Sequence, residues 1–140
     1  MTLKISHFSK SIVVVGLLPP MDSSSDVIRD SREIQKHLSD MLCSPQANIW
    51  CIYDFSDVEI EFGHLLMMFI DQNREKLGSF SDPRLQVVGV VCNEAMATNL
   101  AGCLTRFNVE MPLFERFDDA VAHVYQQIDV ESMLSTLNLI

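Results

Sequence analysis

Lysine and arginine are scarce in this chain. They number 10, against 19 aspartates and glutamates, for a formal net charge of −9. Nucleic-acid binding needs clustered basic side chains, so this balance argues against it, and it equally disfavours an anionic membrane surface. Its simplest consequence is solubility. Glycine is also sparse, at five residues. Neither G-x-x-x-x-G-K-[S/T] nor G-x-G-x-x-G occurs, which removes the glycine-rich phosphate cradles. No G-x-S-x-G elbow occurs either, which removes the serine-hydrolase reading. The four cysteines, Cys43, Cys51, Cys92 and Cys103, contain no C-x-x-C pair; Cys51 and Cys92, in or at the end of apolar strands, and Cys103, on an apolar helix face, are expected to be buried, reduced thiols. The histidines, His7, His37, His64 and His123, share no ligand spacing. No cofactor and no metal is therefore expected.

Long apolar runs are missing too. Nothing approaches the roughly 18 residues needed to cross a bilayer; Ile12 to Leu18 is short and stops at Pro19-Pro20. Lys4 and Lys10 precede no long apolar run with a small-residue cleavage site. No membrane insertion and no signal peptide are expected, and the expected compartment is the cytoplasm.

What remains is a chain of 140 residues, 48% hydrophobic and 21% charged, which suits one compact domain with a real core. Leu3 to Phe8 alternates weakly and reads as a short edge strand. Ser11–Leu18, Asn48–Asp54 and Leu85–Cys92 are apolar and β-branched, as buried strands are. Val109–Glu115 contains Pro112, which places it at a sheet edge. Helical spacing fills the intervals. Val27, Ile28, Ile34, Leu38, Met41 and Leu42 form one stripe, behind a polar loop where Asp22, Ser24 or Ser25 can cap; Asp30 is expected on the opposite, polar face. Phe62, Leu65, Leu66, Phe69, Ile70 and Leu77 form a second, ended by Gly78. Met96, Leu100, Cys103, Leu104 and Phe107 form a third, capped by Asn93; Ala120, Val121, Val124, Tyr125 and Ile128 form a fourth, with Asp118 as a cap. Met133, Leu134 and Leu137 suggest a further short helix over 130–140.

The expected fold is thus α/β, in the order ββαβαβαβα, with four to five helices and a mostly parallel sheet of about five strands whose first two pair antiparallel. One domain spans 1–140, with its core over roughly 3–129 and a C-terminal helical extension over 130–140.

The strand ending at Asp54 carries the most information. In open α/β sheets, ligands and partners meet the corner beyond the strand's carboxyl end. Here that corner is acidic: Asp54, Asp57, Glu59 and Glu61. Such carboxylates can hold a hard cation or share a proton. They can equally be structural, with Asp54 hydrogen-bonding the loop and Glu59 and Glu61 at a helix N-terminus, where the dipole favours them. A phosphoacceptor receiver would want acids at the end of the first core strand; that place holds Leu17, Leu18, Pro19 and Pro20, and Asp22 stands alone.

The next helix is apolar nearly all round, since Met67 and Met68 fall away from the Leu66–Phe69–Ile70 stripe. Such a helix is either deeply buried or covered. Methionine suits adaptable binding surfaces, so the cover is either a partner or the chain's own C-terminal segment.

These elements together resemble the STAS domain, the fold shared by anti-anti-sigma factors and the cytoplasmic tails of sulfate transporters. The likeness runs over roughly residues 3–129. Tyr53-Asp54-Phe55-Ser56 is similar to the family's Asp-aliphatic-Ser strand end, and Ile60-Glu61-Phe62-Gly63-His64-Leu65 to the run that enters its recognition helix. Leu85-Gln-Val-Val-Gly-Val-Val and Pro112-Leu-Phe-Glu-Arg-Phe-Asp-Asp-Ala120 resemble its later strands and the start of its last helix. The resemblance implies a non-enzymatic regulatory or scaffolding domain acting by protein–protein contact. The family's phosphorylatable serine would align with Phe62 or Gly63, neither of which has a hydroxyl, so the chain departs from the family at its switch; Glu61 would stand there as a fixed negative charge.

The expected contact surface is the acidic corner with the second helix: Asp57, Glu59, Glu61, His64, Met67, Met68 and Asp71. Its partner is a protein, with a second copy of the chain as one candidate. The alternative is a small-molecule or lipid carrier with an apolar pocket between sheet and helices. An enzyme is disfavoured, because no nucleophile–base pair or metal set can be named.

Overall fold

Three β-branched runs form the middle of the sheet, and the shorter segments lie at its edges. The computed structural model describes residues 3–18, 24–43, 48–73, 78–80 and 82–137. In chain order the elements are β1 (Leu3–His7), β2 (Ile12–Leu17), α1 (Ser24–Met41), β3 (Ile49–Asp54), α2 (Phe62–Gln72), β4 (Leu85–Val90), α3 (Glu94–Arg106), β5 (Leu113–Phe114) and α4 (Phe117–Thr136). The order is the ββαβαβαβα read from the sequence. The sheet runs β1-β2-β3-β4-β5; β1 is antiparallel to β2, and every other pair is parallel.

Strand order decides where the helices go. Each parallel crossover steps to the next strand in the same direction, and crossovers share one hand, so α1, α2 and α3 fall on one face. The side chains agree. Val13, Val15, Leu17, Cys51, Tyr53 and Val87 point into a core with Val27 and Leu38 of α1, Leu65 and Phe69 of α2, and Met96 and Leu100 of α3. The alternate residues, Ile12, Val14, Trp50, Ile52, Val88 and Val90, pack on Ala120 and Val124 of α4. The period-two alternation of a strand thus separates two cores. The first is rich in aromatics: Tyr53 and Phe69 both meet Phe80, at 5.6 and 4.9 Å between ring centroids, and Phe69 stacks on Phe107 at 5.6 Å.

Several local expectations change. α4 is one continuous helix through Thr136, so Met133 and Leu134 lie within it and form no separate helix, and Leu137 follows its last residue. It starts at Phe117, leaving Asp118 in its first turn, where the dipole favours a negative charge. Tyr125, expected on its inner side, is exposed. α2 ends at Gln72 with Asn73 as its C-cap. Gly78 does not end this helix. Its φ of +76° lets the chain pass close to α1, where an added Cβ would meet Ser39 Oγ at 2.9 Å and the Ser39 backbone nitrogen at 3.0 Å. Asp30, expected on the outer face of α1, is buried. Cys51 and Cys103 are buried as expected, whereas Cys92, also expected to be buried, is exposed because it lies just past the end of β4; Cys43, just past α1, is exposed as well. The cap expected at Asp22, the turns at Pro19-Pro20 and Ser44–Gln46, and Leu77 of the second helical stripe lie outside the described residues.

Candidate interaction surface

The β3–α2 corner turns at Ser56-Asp57 and keeps its apolar residues inward. Phe55, Val58 and Ile60 turn inward and are buried, which leaves Ser56, Asp57, Glu59 and Glu61 exposed. The backbone is anchored on both sides. Phe55 N–H donates to the Val90 carbonyl at 2.8 Å, Ile60 N–H to Met96 Sδ at 3.3 Å, and Asn99 Nδ2 to the Ile60 carbonyl at 3.4 Å. Asp54 Oδ1 accepts from Ser56 N–H at 3.0 Å and from the Ser56 hydroxyl. This is an Asx turn: the carboxylate closes the strand end, the structural role among the alternatives. Glu61 is the N-cap residue of α2 but makes no side-chain cap bond, so any help it gives is through the dipole alone.

The residues expected in one contact surface separate. Asp57 turns toward the other side of the sheet. It lines a groove of about 340 Å³ with Lys4, Phe8, Asp54 and Phe117, beside the start of α4. Glu59 and Glu61 stay exposed at the entry to α2, and Met67 is half-buried. His64 is also half-buried, and its Nδ1 is buried without a hydrogen-bond partner among the described residues. Met68 and Asp71 were expected on the surface and are not: Met68 is 1% exposed and Asp71 8%.

The reason is a polar seam between α1 and α2. Gln72 Nε2 donates to the Ser31 carbonyl at 2.8 Å and to Ser31 Oγ at 3.0 Å, and the Ser31 hydroxyl reaches the Met68 carbonyl at 3.5 Å. Arg32 Nε donates to Asp71 Oδ1 at 3.4 Å. Because α1 supplies partners for the Gln72 amide N–H and for Asp71 Oδ1, α2 can bury these two residues. The helix is rotated by roughly one residue, about 100°, from the orientation that keeps Asp71 and Gln72 wet. Met68 enters the core, and Ile70, expected inside, is expelled to 60% exposure. The outer face of α2 is therefore Gly63, Leu66, Met67 and Ile70. Phe62 is partly exposed but leans across α3, where Gly102 leaves room for its ring: a Cβ there would lie 3.1 Å from Phe62 Cε2.

α4 does not cover this face. It packs on β3, β4 and β5 from the opposite side of the sheet. The sequence signal for the outer face is Ile70 itself, an isoleucine beside Asp71-Gln72; only knowledge of the Ser31 and Arg32 partners assigns it outward.

The two buried thiols are held in their protonated forms. Burial, with the neighbouring Tyr53 opposing slightly, pushes the Cys51 thiol far up. Burial also raises Tyr53, and Cys51 beside it adds to this. Burial lifts Cys103 to about 11, against the pull of Arg106. Neither thiol supplies thiolate near neutrality. Among the described residues, no group of three or more His, Cys, Asp or Glu side chains is placed to hold a metal ion, and no helix is long and apolar enough to cross a membrane. Comparison with protein-family models, curated proteins and solved structures finds no match to this chain.

Proposed function

We propose that this chain is a STAS-like regulatory or scaffolding domain that works without catalysis, by binding another protein through the outer face of α2. The family part of this reading rests on the Tyr53–Ser56 and Ile60–Leu65 motifs, and the cytoplasmic location it includes rests on the sequence. The observation that carries the contact surface is Ile70. It is a large aliphatic side chain, 60% exposed, on a helix whose inner side is fixed in the core and whose outer side the chain's own described C-terminal helix leaves open. Leu66 and Met67 extend the patch, and Glu59 and Glu61 stand at its entry.

The charge favours one kind of partner. A twofold contact between copies would set the same patch against itself and bring Glu59 and Glu61 near their own copies. Like charges across an interface are costly, so an apolar surface with a basic rim is the better complement. The test is capture of a partner from the native host by wild-type chain and by a Met67→Lys, Ile70→Lys double variant, with size-exclusion chromatography of both. Loss of the captured protein with retention of fold supports the surface; equal capture contradicts it.

The carrier reading keeps one observation in its favour. The groove beside α4 has a ligand-sized volume of about 340 Å³ and combines Phe8 and Phe117 with Lys4, Asp54 and Asp57. Native mass spectrometry of freshly purified protein decides it: a co-purifying small molecule would favour the carrier.

A further inference from the structure

His7 and His37 stand 30 positions apart in the chain, yet their Nε2 atoms are 3.0 Å apart. His7 is the last residue of β1, paired with Val13 in the ladder, and is exposed. His37 projects from α1 and is half-buried. The rings are tilted at 48° with centroids 5.1 Å apart, so they meet nitrogen to nitrogen, not face to face.

We infer that His7 and His37 form a two-histidine site for a divalent transition-metal ion, which clamps the end of β1 to α1. Two imidazole nitrogens that share a tetrahedral zinc ion, each about 2.0–2.1 Å from it, are about 3.3 Å apart. The observed 3.0 Å is a few tenths of an ångström short of that separation. Small rotations of the two rings about their side-chain bonds would make up the difference. Without metal, one neutral ring donates a hydrogen bond to the other. The ion takes the place of the shared proton; the donor ring shifts to its Nδ1–H tautomer by exchange with solvent, so both rings bind as neutral imidazoles and no net proton is released. The exposed side at His7 leaves room for water to complete the coordination, since among the described residues no third His, Cys, Asp or Glu joins the pair. Asp40 lies three residues beyond His37, within electrostatic reach of it, and its negative charge favours a cation there. Imidazole donors select zinc, copper or nickel. Magnesium and calcium take oxygen ligands and are excluded.

The test is calorimetric titration of the full chain with zinc chloride alone, repeated with magnesium chloride. One zinc per chain is expected, with no response to magnesium. His7→Ala and His37→Ala should each weaken zinc binding by roughly tenfold or more, since even loss of an outer-shell partner costs about 10–100-fold. A Cys43→Ser, Cys92→Ser double variant should bind zinc as the wild type does, which separates the imidazoles from the two exposed thiols. His7 is exposed at a strand end, so His7→Ala alone decides the matter if the His37 variant does not fold. Three results overturn the inference: zinc binding in His7→Ala equal to wild type, binding that follows the cysteines, or an equal response to magnesium.

Discussion

Two stretches of helix expose large apolar side chains, and they differ in what stands behind them. On α2, Ile70 is turned outward while Leu65, Met68 and Phe69 on the inner side are buried in the larger core. On α4 and just past its end, Met133 and Leu137 are similarly exposed, at 58% and 59%, but they lie beyond Ile128, the last residue of that helix packed against the sheet among the described residues. Val130, Met133, Leu134 and Leu137 also recur at three- and four-residue steps on a side turned well away from Ala120, Val121 and Val124. Equal exposure therefore does not mean an equal binding surface. A patch on a helix packed against α1 and α3 is already ordered, so docking on it loses little conformational entropy. The end of α4 offers apolar area with less support.

The largest expected effect tests that support. Met68→Lys places an unpaired charge in the core and should cost about 3–5 kcal/mol, read as a shift in urea unfolding. A mild effect would mean that α2 is rotated back and that Ile70 is inside.

Next is the brace behind α1. Gly78→Ala meets both a positive φ and the α1 backbone, and should cost about 1–3 kcal/mol by the same measurement. The same loop sets an acid dependence. Burial alone would raise the Asp82 carboxyl. The backbone N–H groups of Arg84 and Gly78 and the Arg84 guanidinium outweigh it and hold the pKa below the usual value. Its stabilising contribution is therefore fully present above the unfolded carboxylate value of about 3.9 and is lost as pH falls through the lower, folded value. Asp82→Asn should cost about 1–3 kcal/mol near neutrality and flatten the acid limb of a stability–pH curve. An unchanged acid limb would remove Asp82 from this role.

Much of the fold is legible in the sequence because strands and helices with single faces declare themselves. The runs Ser11–Leu18, Asn48–Asp54 and Leu85–Cys92 contain the three central strands, and Asn93 caps α3 through its bond from Met96 N–H, at 3.0 Å. The facing of α2 is not legible. Its pattern is apolar nearly all round, and its polar residues, Asp71 and Gln72, find partners on α1 instead of water. Burial patterns assume that polar means wet, and a buried polar seam reverses this. His7 and His37 are brought together only by the docking of α1 against the sheet, which no local spacing reports. The split of the acidic corner, with Asp57 toward the α4 side, follows from the turn at Ser56-Asp57, which breaks the strand alternation after Phe55.

The smaller effects return to the outer face. An added Cβ at Gly63 meets nothing within 4 Å, so Gly63→Ala should stabilise by about 0.5–1 kcal/mol in thermal unfolding. Ile70→Lys, Met133→Lys and Leu137→Lys should each leave stability within about 0.5 kcal/mol, because their side chains are already in solvent. Only the first should reduce partner capture.

The most direct measurement is site-specific photo-crosslinking in extract of the native host, with a photoreactive side chain in place of Ile70 in one protein and of Met133 in another. The expected result is a discrete covalent adduct with a second protein from position 70 and none from position 133. An adduct from position 133 alone, or from neither position, would contradict docking on α2.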